Sequence, residues 1–251
     1  MKRLIMGLMA AASLSIPALA EPTKGYYTMD AMGCMLLKEC TDGVERIYSS
    51  GDLRAAFPDS NWDNVDDEFD EIMMAFGQIG VDVHLADEKY FPVGHRGVYH
   101  TVSNHFYLNK TYVHRPHVLM SVVRHEGWHA AQDCMAGSIK NNMIAIIMDE
   151  EKVPQMWQDI ASNTYRSTPH AIPWEKEAFW AGKTGGMTLE ALQSCARGKM
   201  WEDYDPTPMT EEWLIENGIS DINSNDFPSF SRYLAATDLL NILICLPASL
   251  K

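Results

Sequence analysis

The longest helical pattern in the chain is PHVLMSVVRHEGWHAAQDCMA, residues 116–136. Pro116 is typical of a first helical turn, and Gly137 directly after the stretch is typical of a helix end. Inside the stretch, His125 and His129 are four residues apart, so a helix presents both imidazoles on one face, one turn apart. This spacing lets two ring nitrogens bind one metal ion at about 2.0–2.1 Å each, as tetrahedral zinc requires.

Glu126 follows the first of these histidines directly. Zinc lowers the pKa of a bound water to about 7, and a carboxylate can then accept its proton as the water attacks a carbonyl. The pattern His-Glu-x-x-His on a helix is typical of such hydrolases and predicts Glu126 as the general base. The alternative is an ordinary helix that carries two histidines. The apolar run before the pentad and the strand-like segment before the helix favour the metal site.

A catalytic zinc site needs a third protein ligand and one position left open for water. Here the sequence resembles the zincin-like metallopeptidases, whose branches differ in that ligand. The metzincin pattern would place Gly and His where this chain has Gln132 and Met135, which excludes that branch. The gluzincin branch takes a glutamate from a later helix, within a Glu-x-x-Ala or Glu-x-Glu-Ala run. Residues 175–178, Glu-Lys-Glu-Ala, have the second form.

The resemblance implies Glu175 as the third ligand, with Glu177 as the alternative. Residues two apart point about 200° apart on a helix, so the two carboxylates cannot both face the metal. The chain departs from the family at Phe179, where many members carry Asp or Asn. The hydrogen bond normally made from that position must come from elsewhere or be absent. Asp133, four residues after His129, is a candidate by reach.

The resemblance also implies a substrate cleft beside the strand that precedes the active-site helix. Residues 106–109, Phe-Tyr-Leu-Asn, are expected at that edge, where an extended peptide could pair with them by β-strand addition. An ordinary core strand is the alternative. A His or Tyr that stabilises an oxyanion is expected as well. Three residues of the C-terminal half remain open for that role: Tyr165, His170 and Tyr204.

Five more histidines lie close to the pentad in sequence. They could form a second metal site, but solvated or substrate-lining histidines are the simpler interpretation. These residues are His95, His100, His105, His114 and His117.

The predicted fold class is α+β and zincin-like, with a small N-terminal sheet, the active-site helix and a mainly helical C-terminal half. Residues 21–251 are expected to form one domain, with a sheet-containing lobe over about 21–136 and a helical lobe over about 137–251. Strands are expected at 81–85 and within 97–113. Besides 116–136, helices are expected at 61–79 (ended by Gly80), 149–162, 173–183, 188–197 after a cap at Thr188, 211–217 and 228–246.

Residues 1–20 have the pattern of a cleavable signal peptide: Lys2 and Arg3, an apolar run, and Ala18-Leu19-Ala20. A membrane anchor is the alternative, but the run is short for a bilayer. The sequence therefore predicts a secreted or periplasmic protein without stable membrane association. The net charge of −14, which becomes more negative without residues 1–20, argues against nucleic acid as a partner.

Export to an oxidising compartment predicts two disulfides and one leftover thiol among the five cysteines. Cys34 and Cys40 lie on opposite faces of a helix, so a bridge between them needs a loop or a broken helix. Cys134 and Cys195 could join the two halves of the chain. This leaves Cys245, for which the alternative to a free reactive thiol is a buried apolar residue.

These patterns together predict an exported zinc-dependent metallohydrolase with one Zn²⁺ per chain, held by His125, His129 and Glu175. A metallopeptidase acting on peptides or proteins is the main expectation. A zinc-containing binding or inhibitory module without turnover is a second hypothesis. A zinc amidase acting on cell-wall material is a third.

Overall fold

The computed structural model describes residues 29–140, 143–205 and 242–244. Within them the chain has a mixed α+β fold, with one sheet and helices on both of its faces. The strands are β1 (Val44–Ile47), β2 (Asp82–Ala86), β3 (Gly97–His100), β4 (His105–Asn109) and β5 (Ile242–Ile244). The helices are α1 (Met29–Leu36), α2 (Ser50–Ala56), α3 (Asp66–Ile79), α4 (Lys110–Val113), α5 (Pro116–Met135), α6 (Gln155–Thr164), α7 (Ile172–Ala181), α8 (Met187–Ala196) and α9 (Met200–Asp203).

The sheet has the order β1-β2-β4-β3-β5, and only the β2–β4 pair is parallel. Strand β4 is therefore central, and all five of its residues are buried. The expectation that residues 106–109 form the edge of a cleft is wrong. The apolar pattern of this strand reflects its place in the core instead. Its neighbour β3 lies further out and pairs along its other side with the C-terminal strand β5.

One face of the sheet packs against α3 and α5, α8 packs on these two helices, and together they form the main core. Its members include Leu85 and Phe106 from the sheet and Phe76 and Trp128 from the helices. The opposite face is covered by α1, whose Met32 and Met35 share a smaller apolar cluster with sheet residues. Helix α5 thus lies against the sheet on one side and against α7 and α8 on the other. This position explains why nearly all its residues from His125 onward are buried.

Most expected elements are present with shifted ends. Helix α3 begins at Asp66, five residues later than the sequence pattern predicts, and ends at Gly80 in a left-handed conformation, as predicted. The expected helix 149–162 is interrupted: a short 3₁₀ turn, Glu150–Lys152, precedes α6 because Pro154 stands at its N-cap. Thr188 lies inside α8, whose N-cap is Gly186.

The C-terminal part of the chain also differs from the prediction. Residues 242–244 form a strand, so the helix expected at 228–246 does not extend over them. The helix expected at 211–217, the rest of 228–246, Cys245 and the signal segment lie outside the described residues.

Two disulfides are present, as expected, and they join the cysteines that the sequence analysis considered together. Cys34–Cys40 joins the second turn of α1 to the loop that follows the helix, which is possible because α1 stops at Leu36. Cys134–Cys195 ties the end of α5 to α8. Such bridges are typical of proteins from oxidising compartments. None of the described helices is long and apolar enough to cross a bilayer.

Candidate metal centre

Helix α5 presents His125 and His129 to the start of helix α7, where Glu175 meets them. His125 Nε2 lies 3.2 Å from Glu175 Oε2, and His129 Nε2 lies 3.6 Å from Glu175 Oε1. The two imidazole Nε2 atoms are 3.3 Å apart. One ligand atom from each residue lies within 4.8 Å of the other two, and all three residues are buried. This group of side chains could hold a metal ion.

Close helix packing makes this meeting possible. A Cβ added at Gly182, just after α7, would lie 3.2 Å from His125 Cβ and 3.0 Å from the Ser121 carbonyl oxygen. A Cβ at Gly127 would lie 2.8 Å from Thr188 Cγ2 of α8. Glycine at these two positions therefore lets α7 and α8 approach α5. The approach of α7 brings the Glu175 side chain to the histidines.

The electrostatics of the group fit a cation. Burial lowers the pKa of His125 to about 3 and that of His129 to about 4, so both imidazoles are neutral and have a lone pair to offer. Burial raises the pKa of Glu175 to about 7, while His129 and the nearby Tyr165 hydroxyl lower it. Neither Glu175 oxygen accepts a hydrogen bond of normal geometry from the described residues. A buried carboxylate with so few donors is costly, and a divalent cation would satisfy it together with both imidazoles.

Glu126, the predicted general base, lies between α5 and strand β3. Its carboxylate accepts a hydrogen bond from the Tyr99 backbone N–H at 3.0 Å, and the residue is only 1% exposed. Because it follows His125 directly, its side chain leaves the helix beside the histidine face. Strand β3 therefore positions this carboxylate.

Asp133 does not support His129, contrary to the candidate role based on its reach. Its carboxylate accepts a hydrogen bond from the Tyr99 hydroxyl at 2.8 Å. Burial raises the pKa of Asp133 well above its usual range, and the Tyr99 hydrogen bond opposes that effect. Tyr99 thus contacts two carboxylates of α5, Glu126 through its backbone and Asp133 through its side chain.

The residue that contacts His129 is Gln132, three positions further along α5. Its Oε1 lies 2.7 Å from His129 Nδ1. Sequence reasoning used Gln132 only to exclude the metzincin pattern. The available signal was its spacing from His129, since residues three apart are neighbours on a helix surface.

Glu177, the alternative third ligand, lies apart from the histidine–Glu175 group. Its carboxylate is buried and accepts hydrogen bonds from Trp128 Nε1 at 3.0 Å and from Gln132 Nε2 at 2.8 Å. The backbone amides of Ile147 and Met148 donate to it as well. This network also explains the tryptophan inside the pentad.

Among the three candidates for oxyanion stabilisation, Tyr165 is the one that the structure brings to the centre. Its ring packs on Phe179 at 6.3 Å between centroids, and Phe179 packs on His125 at 5.0 Å. Tyr204 lies instead near Glu190 and Asp203. Burial raises the pKa of Tyr204, and the charges of these two residues raise it further. His170 is in the short 3₁₀ turn before α7, and its Nε2 is buried without a described hydrogen-bond partner.

The five further histidines do not assemble a second site among the described residues. His114 and His117 are exposed, and His95 is buried with no described hydrogen-bond partner for its Nδ1. His105 stacks on His84 at 5.3 Å between ring centroids, on the sheet face away from α5. Comparison of the chain with protein-family models, with curated proteins and with solved structures gives no match.

Proposed function

We propose that this chain is an exported zinc-dependent metallohydrolase, and specifically a peptidase, with Glu126 as the general base. The observation that carries the proposal is the convergence of His125, His129 and the buried carboxylate of Glu175. Two imidazoles and one carboxylate are the donor set of many catalytic zinc sites, which keep a further position for water or substrate. The buried carboxylate of Glu126 next to this group supports a catalytic use.

The residues divide the chemistry between them. A bound zinc ion would supply Lewis acidity, which polarises a carbonyl and acidifies water. His125, His129 and Glu175 would hold the ion, while Glu126 would accept the proton on its carboxylate. The Tyr99 amide keeps that carboxylate in place. Tyr165, whose hydroxyl acts on Glu175, would donate that hydroxyl to a developing oxyanion. A peptide or protein would be the substrate.

Glu126→Gln tests this proposal because glutamine keeps the shape but cannot accept the proton. We expect zinc content to stay near that of the wild type, while peptide hydrolysis falls by at least ~10²-fold. The measurements are metal content of the zinc-supplied, purified protein and turnover of a broad peptide library. Glu151→Gln, an exposed carboxylate on the turn before α6, is the matched control and should change neither.

The same assays separate the competing functions. Wild-type protein that takes up no zinc, or a Glu126→Gln variant with undiminished turnover, would contradict the proposal. Zinc binding without hydrolysis of any substrate would indicate a binding or inhibitory module. Hydrolysis of cell-wall amides but not of peptides would indicate an amidase.

A further inference from the structure

His129 has two ring nitrogens with different partners. Its Nε2 faces His125 and Glu175, and its Nδ1 faces Gln132 Oε1 at 2.7 Å. A neutral imidazole carries one proton, and only the nitrogen without it can bind a metal. The group opposite Nδ1 therefore determines whether His129 offers Nε2 to the centre.

The orientation of the Gln132 amide is set by its nitrogen. Nε2 donates to the Trp174 backbone carbonyl at 3.1 Å and to Glu177 Oε2 at 2.8 Å. Both partners are acceptors, so they require the NH₂ group on that side and leave Oε1 facing His129. An amide oxygen can only accept. The proton of His129 must then be on Nδ1, which leaves a lone pair on Nε2.

Glu177 acts on His129 through the Gln132 amide. It is 1% exposed, and its carboxylate receives four donors, from Trp128, Gln132, Ile147 and Met148. No lysine or arginine of the described residues forms an ion pair with it. Its negative charge therefore polarises the Gln132 amide, which in turn increases the acceptor strength of Oε1.

We propose that Glu177, Gln132 and His129 form a positioning relay that selects the Nδ1–H tautomer of His129 and strengthens metal binding by its Nε2. Gln132 and Glu177 are positioning residues, since neither faces the metal group. The effect on metal affinity depends on the proposed function, but the tautomer does not.

The primary test is ¹⁵N NMR of the metal-free protein labelled at histidine. We expect His129 in the wild type to be protonated at Nδ1 and unprotonated at Nε2. A proton on Nε2 would overturn the relay without any variant. His125 is the internal reference, because its ring hydrogen-bonds to the Ala178 backbone rather than to a side-chain amide.

Variants then test the two links. Gln132→Met keeps the length but removes the amide, so Nε2–H should become populated and zinc affinity should fall about 10- to 100-fold. Gln132→Glu retains an acceptor for Nδ1–H and should restore the tautomer. Glu177→Gln removes the charge and should weaken zinc binding by about tenfold. Gln155→Met, an exposed glutamine of α6, is the matched control.

The outcomes separate the relay from the proposed function. An unchanged tautomer and unchanged zinc affinity in Gln132→Met would refute the relay even if the protein is a zinc hydrolase. Nδ1 protonation that is lost in Gln132→Met would support the relay even in a protein that takes up no zinc. Zinc affinity is measured by competition with a chromophoric chelator on variants whose near-UV circular dichroism matches the wild type.

Discussion

Glu175 and Glu177 are two residues apart on the same helix and equally buried, yet their surroundings are opposite. Glu177 receives four hydrogen-bond donors, whereas Glu175 receives none of normal geometry from the described residues. Glu175 faces two neutral imidazoles instead. A buried carboxylate supplied with four donors is already satisfied, while one that faces the lone pairs of two neutral imidazoles calls for a cation. Burial alone therefore does not distinguish a ligand from a structural anion.

The largest expected difference is in zinc affinity. Glu175→Gln removes an anionic oxygen from the metal group, so affinity should fall by more than the ~100-fold known for changes in residues that only orient ligands. Glu177→Gln should lose about tenfold through the relay. Chelator competition on both variants measures this. A greater loss in Glu177→Gln than in Glu175→Gln would exchange the roles of the two carboxylates.

In zinc-free protein, Glu175→Gln should be the variant that gains: its free energy of unfolding should rise. Burial raises the pKa of Glu175 to about 7, above its ordinary 4.5, so the folded state binds the proton more tightly than the unfolded state. The free energy of unfolding is therefore reduced as pH rises from about 4.5 through about 7. Glu175→Gln removes this penalty and should stabilise the zinc-free protein by about 3 kcal/mol at pH 8, but hardly at pH 4.5.

Urea unfolding of both proteins in the presence of chelator, over that pH range, gives the difference directly. The histidines are common to wild type and variant, so their own pH dependence, which has the opposite sign, largely cancels. A variant that is less stable than the wild type at pH 8 without zinc would show that Glu175 has unrecognised donors.

Glu177→Gln should destabilise the protein by about 1–3 kcal/mol with or without zinc. The new NH₂ group would face one or more of the donors that now point at the carboxylate, which leaves a buried N–H unpaired. Urea unfolding at pH 8 with chelator checks this against Glu175→Gln, whose effect has the opposite sign. Equal stability of the wild type and Glu177→Gln would mean that the loop at Ile147 and Met148 rearranges without cost.

The sequence predicted the parts of this centre that depend on helical spacing. His125 and His129 share a face because they are four apart, and α5 has nearly the predicted ends. The choice of Glu175 over Glu177 came from a resemblance to a short motif, not from any property of the two residues themselves. Their different surroundings depend on where α7 lies against α5 and on residues 147–148, which are distant in sequence.

Gln132 and Asp133 show the limit of local reasoning most clearly. At three and four residues beyond His129, both can reach its ring. Tyr99 from strand β3 binds Asp133, which leaves Gln132 as the partner of His129. Sequence spacing cannot predict which of the two residues contacts His129, because that depends on how the sheet packs against α5. The same holds for β4, whose central position follows from its parallel pairing with β2.

The smallest expected effect concerns two lysines in and just after α7, Lys176 and Lys183. Burial is the main reason for the low pKa of His125, and the charge of Lys183, which is exposed just after α7, lowers this pKa further. Its removal in Lys183→Gln should reduce repulsion of a bound cation and raise zinc affinity by less than about fivefold, because solvent screens an exposed charge. The gain should shrink further in 0.5–1 M salt, where the Debye length is only a few Å.

Lys176→Gln is the matched control: this lysine lies between Glu175 and Glu177 on α7 but pairs with Glu150. We expect it to leave zinc affinity unchanged, and chelator competition at low and high salt measures both variants. A salt-independent change in Lys183→Gln would mean that the lysine acts through contact with the helix rather than through its charge.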